Sequence, residues 1–232
     1  MSGPSPNPDP HPHPHPHPPA GKIGVLLVDD HSVLRQGMAT MINEEPDLFV
    51  CGEAEGVSSA LEVLKRVNPD VALVDLSIRD GDGLELIKEI RNRRPDTKIL
   101  VLSMYDEQVY ADRALRAGAQ GYVMKAEAAK TVITGIRAVL RDEIYLSEKM
   151  LAARAKSTDS VNPRDHLQRL SDRELQVLRC VGRGMSTREI AEELFISIKT
   201  VEAHREHIKQ KLGLLTSGEL LRYAIEHNRV ER

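Results

Sequence analysis

The sequence contains no tryptophan and only two phenylalanines, Phe49 and Phe195. Its 232 residues are nevertheless 41% hydrophobic, so the packing must come from Leu, Ile, Val, Ala and Met. This composition disfavours an aromatic-rich β-sandwich and favours helices that pack against a parallel sheet. Because a chain of this length buries either one large core or two modest ones, we expect two domains.

Long apolar runs and cysteine pairs are also missing. No run approaches the roughly 20 apolar residues that a membrane-spanning helix needs. The N-terminus has a His-Pro repeat where a signal peptide would have an apolar stretch, so we expect a soluble, cytoplasmic protein with no membrane partner. Cys51 and Cys180 lie far apart and lack CxxC or CxxH spacing. Buried free thiols are therefore expected rather than a disulfide or a metal site.

The net charge of -3 is unevenly distributed along the chain. From Pro163 to the end there are 13 basic and 11 acidic residues, which leaves 19 basic against 24 acidic residues before it. An acidic first part and a mildly basic second part suit a carboxylate site followed by a module that contacts phosphates.

Two polar segments divide the chain. Residues 1–22 are rich in proline, with histidines at positions 11, 13, 15 and 17, which predicts a disordered tail; adventitious metal affinity is the alternative. Residues 142–167 lose all hydrophobic periodicity and predict a linker. The predicted domains therefore span residues 23–141 and 168–232.

Five short apolar runs alternate with segments of helical periodicity in the first domain. Being continuously apolar and β-branched, the runs predict strands buried on both faces of a parallel sheet. We therefore predict an α/β fold with one doubly wound five-stranded sheet. The predicted strands are 23–28, 48–51, 71–74, 99–102 and 121–124, and the predicted helices are 32–45, 58–67, 84–94, 108–117 and 129–141.

The second domain has helical patterns only, over residues 171–181, 187–194, 200–212 and 219–227, which predicts a small all-α, four-helix domain. Ser171 with Glu174 forms a capping-box signature, and Ser186 and Ser197 precede the next two helices. The second and third helices, joined by the turn at residues 195–197, predict a helix-turn-helix. On the last helix we expect exposed Leu220, Leu221 and Ala224.

Polar side chains follow four of the predicted strands. Because ligands bind outside the carboxyl ends of parallel strands, these side chains should converge at one edge. Three converging carboxylates repel one another unless a cation is present, and Mg²⁺ prefers such oxygen ligands. A carboxylate also acts as a nucleophile toward phosphorus, and Asp75 stands alone on the central strand. The converging residues are Asp29, Asp30, Asp75, Ser103 and Lys125.

Each of these residues taken singly has a simpler reading. Asp29 or Asp30 alone would be an ordinary helix N-cap. Lys125 alone would be a solvated strand end, and Ser103 a loop hydroxyl. Their joint occurrence at four strand ends favours a phosphorylation site.

Four motifs, LLVDDHSVLRQGM, VDLSIRDGDGLELI, VLSMYD and GAQGYVMKA, resemble the receiver domains of bacterial two-component response regulators. The segment LSDRELQVLRCVGRGMSTREIAEELFISIKTVEAHREHIKQKLGL resembles the LuxR-type helix-turn-helix that one group of them, the NarL/FixJ group, carries. The resemblance covers the chain from about Ile23 onward. It implies a flavodoxin-like receiver with strand order 2-1-3-4-5 and a DNA-binding domain.

The resemblance also implies roles for individual residues. Asp75 would be the phosphoacceptor, and Mg²⁺ would be held by Asp30 most directly, with Asp29 assisting and the Ser77 backbone carbonyl as a further ligand. Ser103 and Lys125 would contact the phosphoryl group. Tyr122 would turn inward when Ser103 moves, although a buried tyrosine often serves only packing.

One position departs from the family pattern. Arg79 stands where the family usually has a proline. Proline fixes φ and arginine does not, so we expect a more mobile loop with altered charge.

The LuxR-type resemblance places the helix over residues 199–212 in the major groove of DNA. Some residues of this helix have an alternative to DNA contact. His204 has the spacing of a hydrogen-bonded inner residue, and Lys209 and Lys211 could form a solvated face. The phosphate-contact candidates are Lys199, Thr200, Arg205 and Lys209, and the base-edge candidates are Glu202, Ala203 and Glu206.

We therefore expect a regulator whose receiver takes a phosphoryl group from a sensor histidine kinase and thereby controls DNA binding and transcription. Because a single such module binds DNA weakly, a homodimer is expected. Two alternatives are a phosphatase or mutase that uses Asp75 as nucleophile, and an interaction module whose helical domain binds a protein. No cap domain or general acid supports the enzyme, so we expect a non-enzyme.

Overall fold

The computed structural model describes residues 21–156 and 165–228. All but the last two residues of the predicted tail lie outside this range, as do residues 157–164 of the predicted linker. Among the described helices, none combines the length and hydropathy needed to cross a bilayer.

The first part of the chain forms a five-stranded parallel sheet with the order β2-β1-β3-β4-β5. This confirms the predicted fold class and strand order. Its strands are nearly all buried on both faces, as continuous apolar runs require. The strands are β1 Ile23–Val28, β2 Leu48–Ala54, β3 Val71–Val74, β4 Lys98–Ser103 and β5 Gly121–Met124.

Helices cover both faces of the sheet. Alternate strand residues such as Val25 and Leu27 face a core with Ile42 and Ile136 of the first and fifth helices. The other set faces a core that includes the second, third and fourth helices and continues into the C-terminal part of the chain. The helices are α1 Ser32–Glu44, α2 Val57–Leu64, α3 Gly83–Arg93, α4 Glu107–Ala117 and α5 Ala128–Leu140.

The C-terminal part is helical throughout, as predicted. Ser171 and Ser186 each accept a hydrogen bond from the backbone three residues later and form capping boxes with Glu174 and Glu189. The predicted linker also contains one helix and most of a second, four-residue helix, neither of which was predicted from the sequence. The helices are α6 Glu148–Lys156, α7 Asp165–Gln168, α8 Asp172–Gly182, α9 Thr187–Glu193, α10 Ile198–Leu212 and α11 Ser217–Asn228.

The expected apolar surface on α11 is mostly absent. Leu220 and Ala224 are buried, 0% and 1% exposed, because this face of α11 packs against α8. Only Leu221 of the three expected residues is exposed, at 40%. The prediction was wrong for two residues because helical periodicity shows that a face is apolar, but not whether a neighbouring helix covers it.

Helix α4 joins the two parts of the chain. The buried Arg113 guanidinium donates to the backbone carbonyls of Leu167 and Leu170, at 3.0 and 2.7 Å, and contacts the Asp172 carboxylate at 2.6 Å. At the start of α4, Glu107 accepts from the backbone N–H of Ser147, 2.8 Å away. A movement of α4 would therefore act directly on the segments that lead into the second domain.

Candidate functional site

The carboxyl edge of the sheet brings Asp29, Asp75 and Lys125 into contact. The three residues directly follow β1, β3 and β5. Lys125 Nζ lies 2.6 Å from Asp29 Oδ2 and 2.7 Å from Asp75 Oδ2. Residues that are far apart in sequence thus share one ion-pair cluster, which the parallel topology requires because all strand ends point to the same edge.

Asp75 lies in the most buried position of this cluster, with its side chain 1% exposed. Burial raises the pKa of the Asp75 carboxyl from 3.8 to about 6. Lys125 and the Ser77 backbone lower the pKa again, whereas the Asp29 charge raises it. The carboxylate is therefore ionised near neutral pH, although its surroundings do not fully compensate its charge.

Burial acts on the pKa of Lys125 in the opposite sense. Burial lowers the pKa of the ammonium group, but the charges of Asp75 and Asp29 outweigh burial, and the net shift is upward. A permanently charged Lys125 is the one cation in direct contact with Asp29 and Asp75 among the described residues.

The donor set at this edge fits a hard divalent cation. Carboxylate oxygens of Asp29, Asp30 and Asp75 and a ring nitrogen of His31 lie within 4.8 Å of one another. Asp75 Oδ1 is buried, and the described residues offer it no hydrogen bond of ordinary geometry. Because a buried oxygen without a partner is costly, it is available as a ligand. Asp75, His31 and Ser77 line one cavity at this edge, about 210 Å³ in volume.

The N-cap reading of Asp29 and Asp30 is not supported by the structure. The N-cap of α1 is His31, and no side chain hydrogen-bonds to the first turn of this helix from that position. Asp29 Oδ1 instead accepts from the backbone N–H of His31, 2.8 Å away. His31, which the sequence analysis did not single out, lies with Nδ1 2.8 Å from Asp30 Oδ1.

Ser103 and Tyr122 meet around Tyr105. Ser103 ends β4, is 0% exposed, and accepts from the Tyr105 backbone N–H at 3.2 Å. The buried Tyr122 hydroxyl donates to the Tyr105 carbonyl at 2.7 Å. Burial raises the pKa of Tyr122 well above its ordinary value, which keeps the hydroxyl protonated as a donor. A movement of the Ser103 hydroxyl would therefore alter the hydrogen bonds of both Tyr105 and Tyr122.

The loop after β3 makes a hydrogen bond through the Arg79 backbone. The Arg79 N–H donates to the Glu55 carbonyl at 3.2 Å, a bond that the family's usual proline could not make. Asp80 has a positive φ of 53°. Its carboxylate accepts hydrogen bonds from the backbone N–H groups of Val57 and Ser58, at 2.7 and 3.1 Å. Arginine thus contributes a backbone hydrogen bond where proline would contribute rigidity.

Two arginines from the second part of the chain reach this edge: Arg179 on α8 and Arg183 at the C-cap of that helix. Arg179 and Arg183 line the cavity together with Asp75 and Lys125. The Arg179 guanidinium lies 3.9 Å from the centre of the Tyr105 ring. Sequence reasoning missed both arginines because only the tertiary fold brings residues so distant in sequence to the site.

Helix α10 presents most of the DNA-contact candidates to solvent. Lys199, Thr200, Glu202, Ala203 and Glu206 are exposed. The remaining two candidates are engaged by neighbours: Arg205 Nη1 donates to Thr187 Oγ1 at 3.2 Å, and Lys209 Nζ lies 2.8 Å from Glu206 Oε1.

The solvated-face alternative fits Lys211, which is exposed although its ammonium lies 2.6 Å from Glu174 Oε2, better than Lys209, whose side chain is 14% exposed. His204 is partly buried beside Val201 and Ile208, as its spacing predicted. Its expected hydrogen bond is missing at one ring nitrogen: Nδ1 is buried and has no partner among the described residues.

Comparisons with known proteins match both parts of the chain. A family model described as the response regulator receiver domain matches residues 25–137, and one described as bacterial regulatory proteins of the luxR family matches residues 168–224. The oxygen regulatory protein NreC of Staphylococcus aureus is 36% identical over 214 residues, which cover 89% of this chain and 99% of that protein.

Solved structures of RcsB from Salmonella are similar over both parts of the chain. RcsB of Salmonella enterica serovar Typhimurium, bound to the promoter P1flhDC in the presence of phosphomimetic BeF3-, has 27% identity and a TM-score of 0.69. The match covers 88% of this chain and 99% of that one. A further structure of the Salmonella typhimurium RcsB response regulator has 25% identity and a TM-score of 0.70, and covers 89% and 98%.

The raised pKa of Asp75 predicts a pH-dependent effect of Asp75→Asn on stability. The folded carboxyl binds its proton more tightly than the unfolded one, so its contribution to stability is lost as the pH rises through about 6. In metal-free buffer we expect Asp75→Asn to raise the free energy of unfolding by about 3 kcal/mol near pH 8, because the pKa rises from 3.8 to about 6 and one pKa unit is worth about 1.4 kcal/mol.

Urea unfolding of both proteins across pH measures this difference, which should shrink toward zero as the pH approaches about 4. Equal stability of the two proteins near pH 8, or a difference that does not vary with pH, would contradict the assigned environment of Asp75.

Proposed function

This chain belongs to the two-component response regulators that join a receiver domain to a LuxR-type DNA-binding domain, and we propose that Asp75 is its phosphoacceptor. As a member of this family it binds DNA and regulates transcription. The geometry of its carboxylate supports this assignment: Oδ2 contacts Lys125, and the buried Oδ1 lacks a hydrogen bond of ordinary geometry.

The proposed receiver spans residues 23–141 and the proposed DNA-binding domain residues 168–232, with the linker between them. Receiver domains bind Mg²⁺ in an acidic pocket, and this chain has such a pocket at Asp29, Asp30 and Asp75. We assign those carboxylates and the Ser77 carbonyl as the residues that hold the ion. When bound, the ion supplies positive charge beside the phosphoryl oxygens.

In the proposed reaction, an oxygen of Asp75 attacks the phosphorus of a phosphohistidine on the sensor kinase. The new O–P bond forms as the P–N bond breaks, and the electron pair of that bond stays on the imidazole. Near neutral pH the Asp75 carboxylate carries the charge that the attack needs, because its pKa is about 6. Lys125 then donates to a phosphoryl oxygen, and the Ser103 hydroxyl to another.

We further propose that Tyr105 transmits the modified state. If the Ser103 hydroxyl turns toward the phosphoryl group, its hydrogen bond with the Tyr105 N–H changes. Tyr105 also accepts from the Tyr122 hydroxyl through its carbonyl and contacts the Arg179 guanidinium through its ring. Helix α4 follows Tyr105 along the chain, and its Arg113 donates hydrogen bonds to the backbone that leads into the second domain. Phosphorylation thus changes how the two domains are held together.

DNA recognition is assigned to α10 in the major groove. Its exposed candidates, Lys199, Thr200, Glu202, Ala203 and Glu206, face solvent in the present arrangement. Phosphorylation therefore acts on the relative placement of two such helices rather than by uncovering one. Two copies on half-sites about one helical turn apart supply the affinity that one module lacks, so we propose a homodimer on DNA.

The phosphoacceptor assignment is tested with radiolabelled acetyl phosphate and Mg²⁺. We expect a base-labile label on the wild-type chain, none after removal of Mg²⁺ by a chelator, and none on Asp75→Ala. Asp29 also contacts Lys125, but its Oδ1 accepts from the His31 N–H, whereas Asp75 Oδ1 has no hydrogen bond of ordinary geometry. Asp96→Ala, at an exposed aspartate of the same domain, is the matched control and should be labelled like the wild type. Stoichiometric label on Asp75→Ala would reject the assignment.

The DNA-binding assignment is tested by reversing Lys199 and Arg205 to glutamate. We expect DNA retention at physiological salt to be lost, because phosphate contacts provide much of the binding free energy and wild-type affinity should fall steeply with salt.

Arg66→Glu with Lys130→Glu, at exposed receiver positions, makes the same change of net charge and should retain DNA binding. If the α10 double variant binds as tightly as this control and binding is insensitive to salt, the domain is instead a protein-interaction module.

A further inference from the structure

A second cluster of ligand-type side chains lies in the DNA-binding domain, away from the receiver pocket. Glu174 on α8 and His204 and His207 on α10 place one oxygen and two ring nitrogens within 4.8 Å of one another. The two histidines are three residues apart, so both lie on one face of α10. Neither the phosphorylation site nor the assigned DNA contacts use these three side chains.

The Glu174 carboxylate is held in place with one oxygen left available. Oε2 accepts from the Ser171 backbone N–H and from Lys211 Nζ, each at 2.6 Å. The other oxygen, Oε1, has His207 Nδ1 as a neighbour at 4.0 Å, which is too far for a hydrogen bond. A carboxylate that is 4% exposed and fixed through one oxygen is preorganised to offer the other to a ligand.

His204 supplies an independent observation. Its Nδ1 atom is buried and has no hydrogen-bond partner among the described residues. Leaving a buried polar atom unpaired is unfavourable, and such atoms in folded proteins generally have a partner. Bonding of Nδ1 to a metal ion would satisfy it.

We propose that Glu174, His204 and His207 form a binding site for Zn²⁺ or a similar borderline divalent transition metal ion. Two imidazoles and one carboxylate are a donor set that zinc takes in proteins, with the remaining coordination position open to water. The 59% exposed side chain of His207 gives the ion access from solvent.

Lys211 opposes binding, because its ammonium lies beside the same carboxylate. Its side chain is 40% exposed, so water partly screens the charge, and if the ammonium moves away from the ion the Ser171 N–H still holds Oε2. This repulsion lowers the affinity for the ion, but Lys211 contacts Oε2 and leaves Oε1 available as the ligand atom.

This site differs in selectivity from the receiver pocket. Asp29, Asp30 and Asp75 offer mainly carboxylate oxygens, which suit Mg²⁺, whereas two imidazoles favour zinc and cobalt over magnesium. Because the ligands come from α8 and α10, a bound ion cross-links the predicted recognition helix to the core of its domain and stabilises the folded state.

The test uses the full chain with His11, His13, His15 and His17 replaced by glutamine, so that the tail repeat offers no competing imidazole ligands. Cobalt(II) reports coordination number: a four-coordinate site with imidazole ligands gives intense visible bands, whereas an octahedral oxygen site gives weak ones. We expect one equivalent of cobalt to produce intense bands that zinc abolishes and excess Mg²⁺ does not.

His207→Asn in the same background removes one ligand at an exposed position and should eliminate these bands. It should also abolish the rise of about 5 °C in the unfolding midpoint that we expect zinc to cause. His166→Asn, at an exposed histidine outside the cluster, is the matched control and should keep both signals. Intense bands that persist in His207→Asn, or a parent chain that shows neither bands nor a zinc-dependent midpoint, would overturn the proposal, whatever the outcome for Asp75 or for DNA.

Discussion

The contact of one ammonium group with two carboxylates at the edge of the sheet is the constraint on which the rest depends. Lys125 lies 2.6 Å from Asp29 and 2.7 Å from Asp75, and it offsets only part of the negative charge gathered there. Burial, with a smaller contribution from the Asp29 charge, raises the pKa of Asp75, and the excess of carboxylate charge favours a divalent cation. In the proposed reaction the same lysine donates to a phosphoryl oxygen, so electrostatic balance and the proposed phosphoryl chemistry share one residue.

The second domain adjoins this site through a small number of contacts. Tyr105 touches Ser103 through its N–H, Tyr122 through its carbonyl and Arg179 through its ring. Further along α4, Arg113 holds backbone carbonyls just before α8. Because these groups are closely packed and hydrogen-bonded to one another, we expect a small displacement of Ser103 to change the packing between the two domains and not only the positions of its neighbours.

Much of the sheet and of the proposed site followed from the sequence, because strand ends of a parallel sheet share one edge and the polar residues stood directly after the apolar runs. The contributions of Arg179 and Arg183 could not be predicted, since they depend on how two domains dock. The burial of Leu220 likewise depends on packing between helices, which periodicity along one helix does not encode. Capping boxes at Ser171 and Ser186 were predictable because they depend only on residues three apart.

The most direct test of the central claim is a carbon-13 NMR titration of the Asp75 side-chain carboxyl, identified by its absence from the spectrum of Asp75→Asn. In metal-free buffer, the carboxyl should titrate with a pKa of about 6. Saturating Mg²⁺ should displace that titration to lower pH, because a bound cation favours the ionised form. A carboxyl that titrates near 3.8 and does not respond to Mg²⁺ would contradict a buried, incompletely compensated phosphoacceptor.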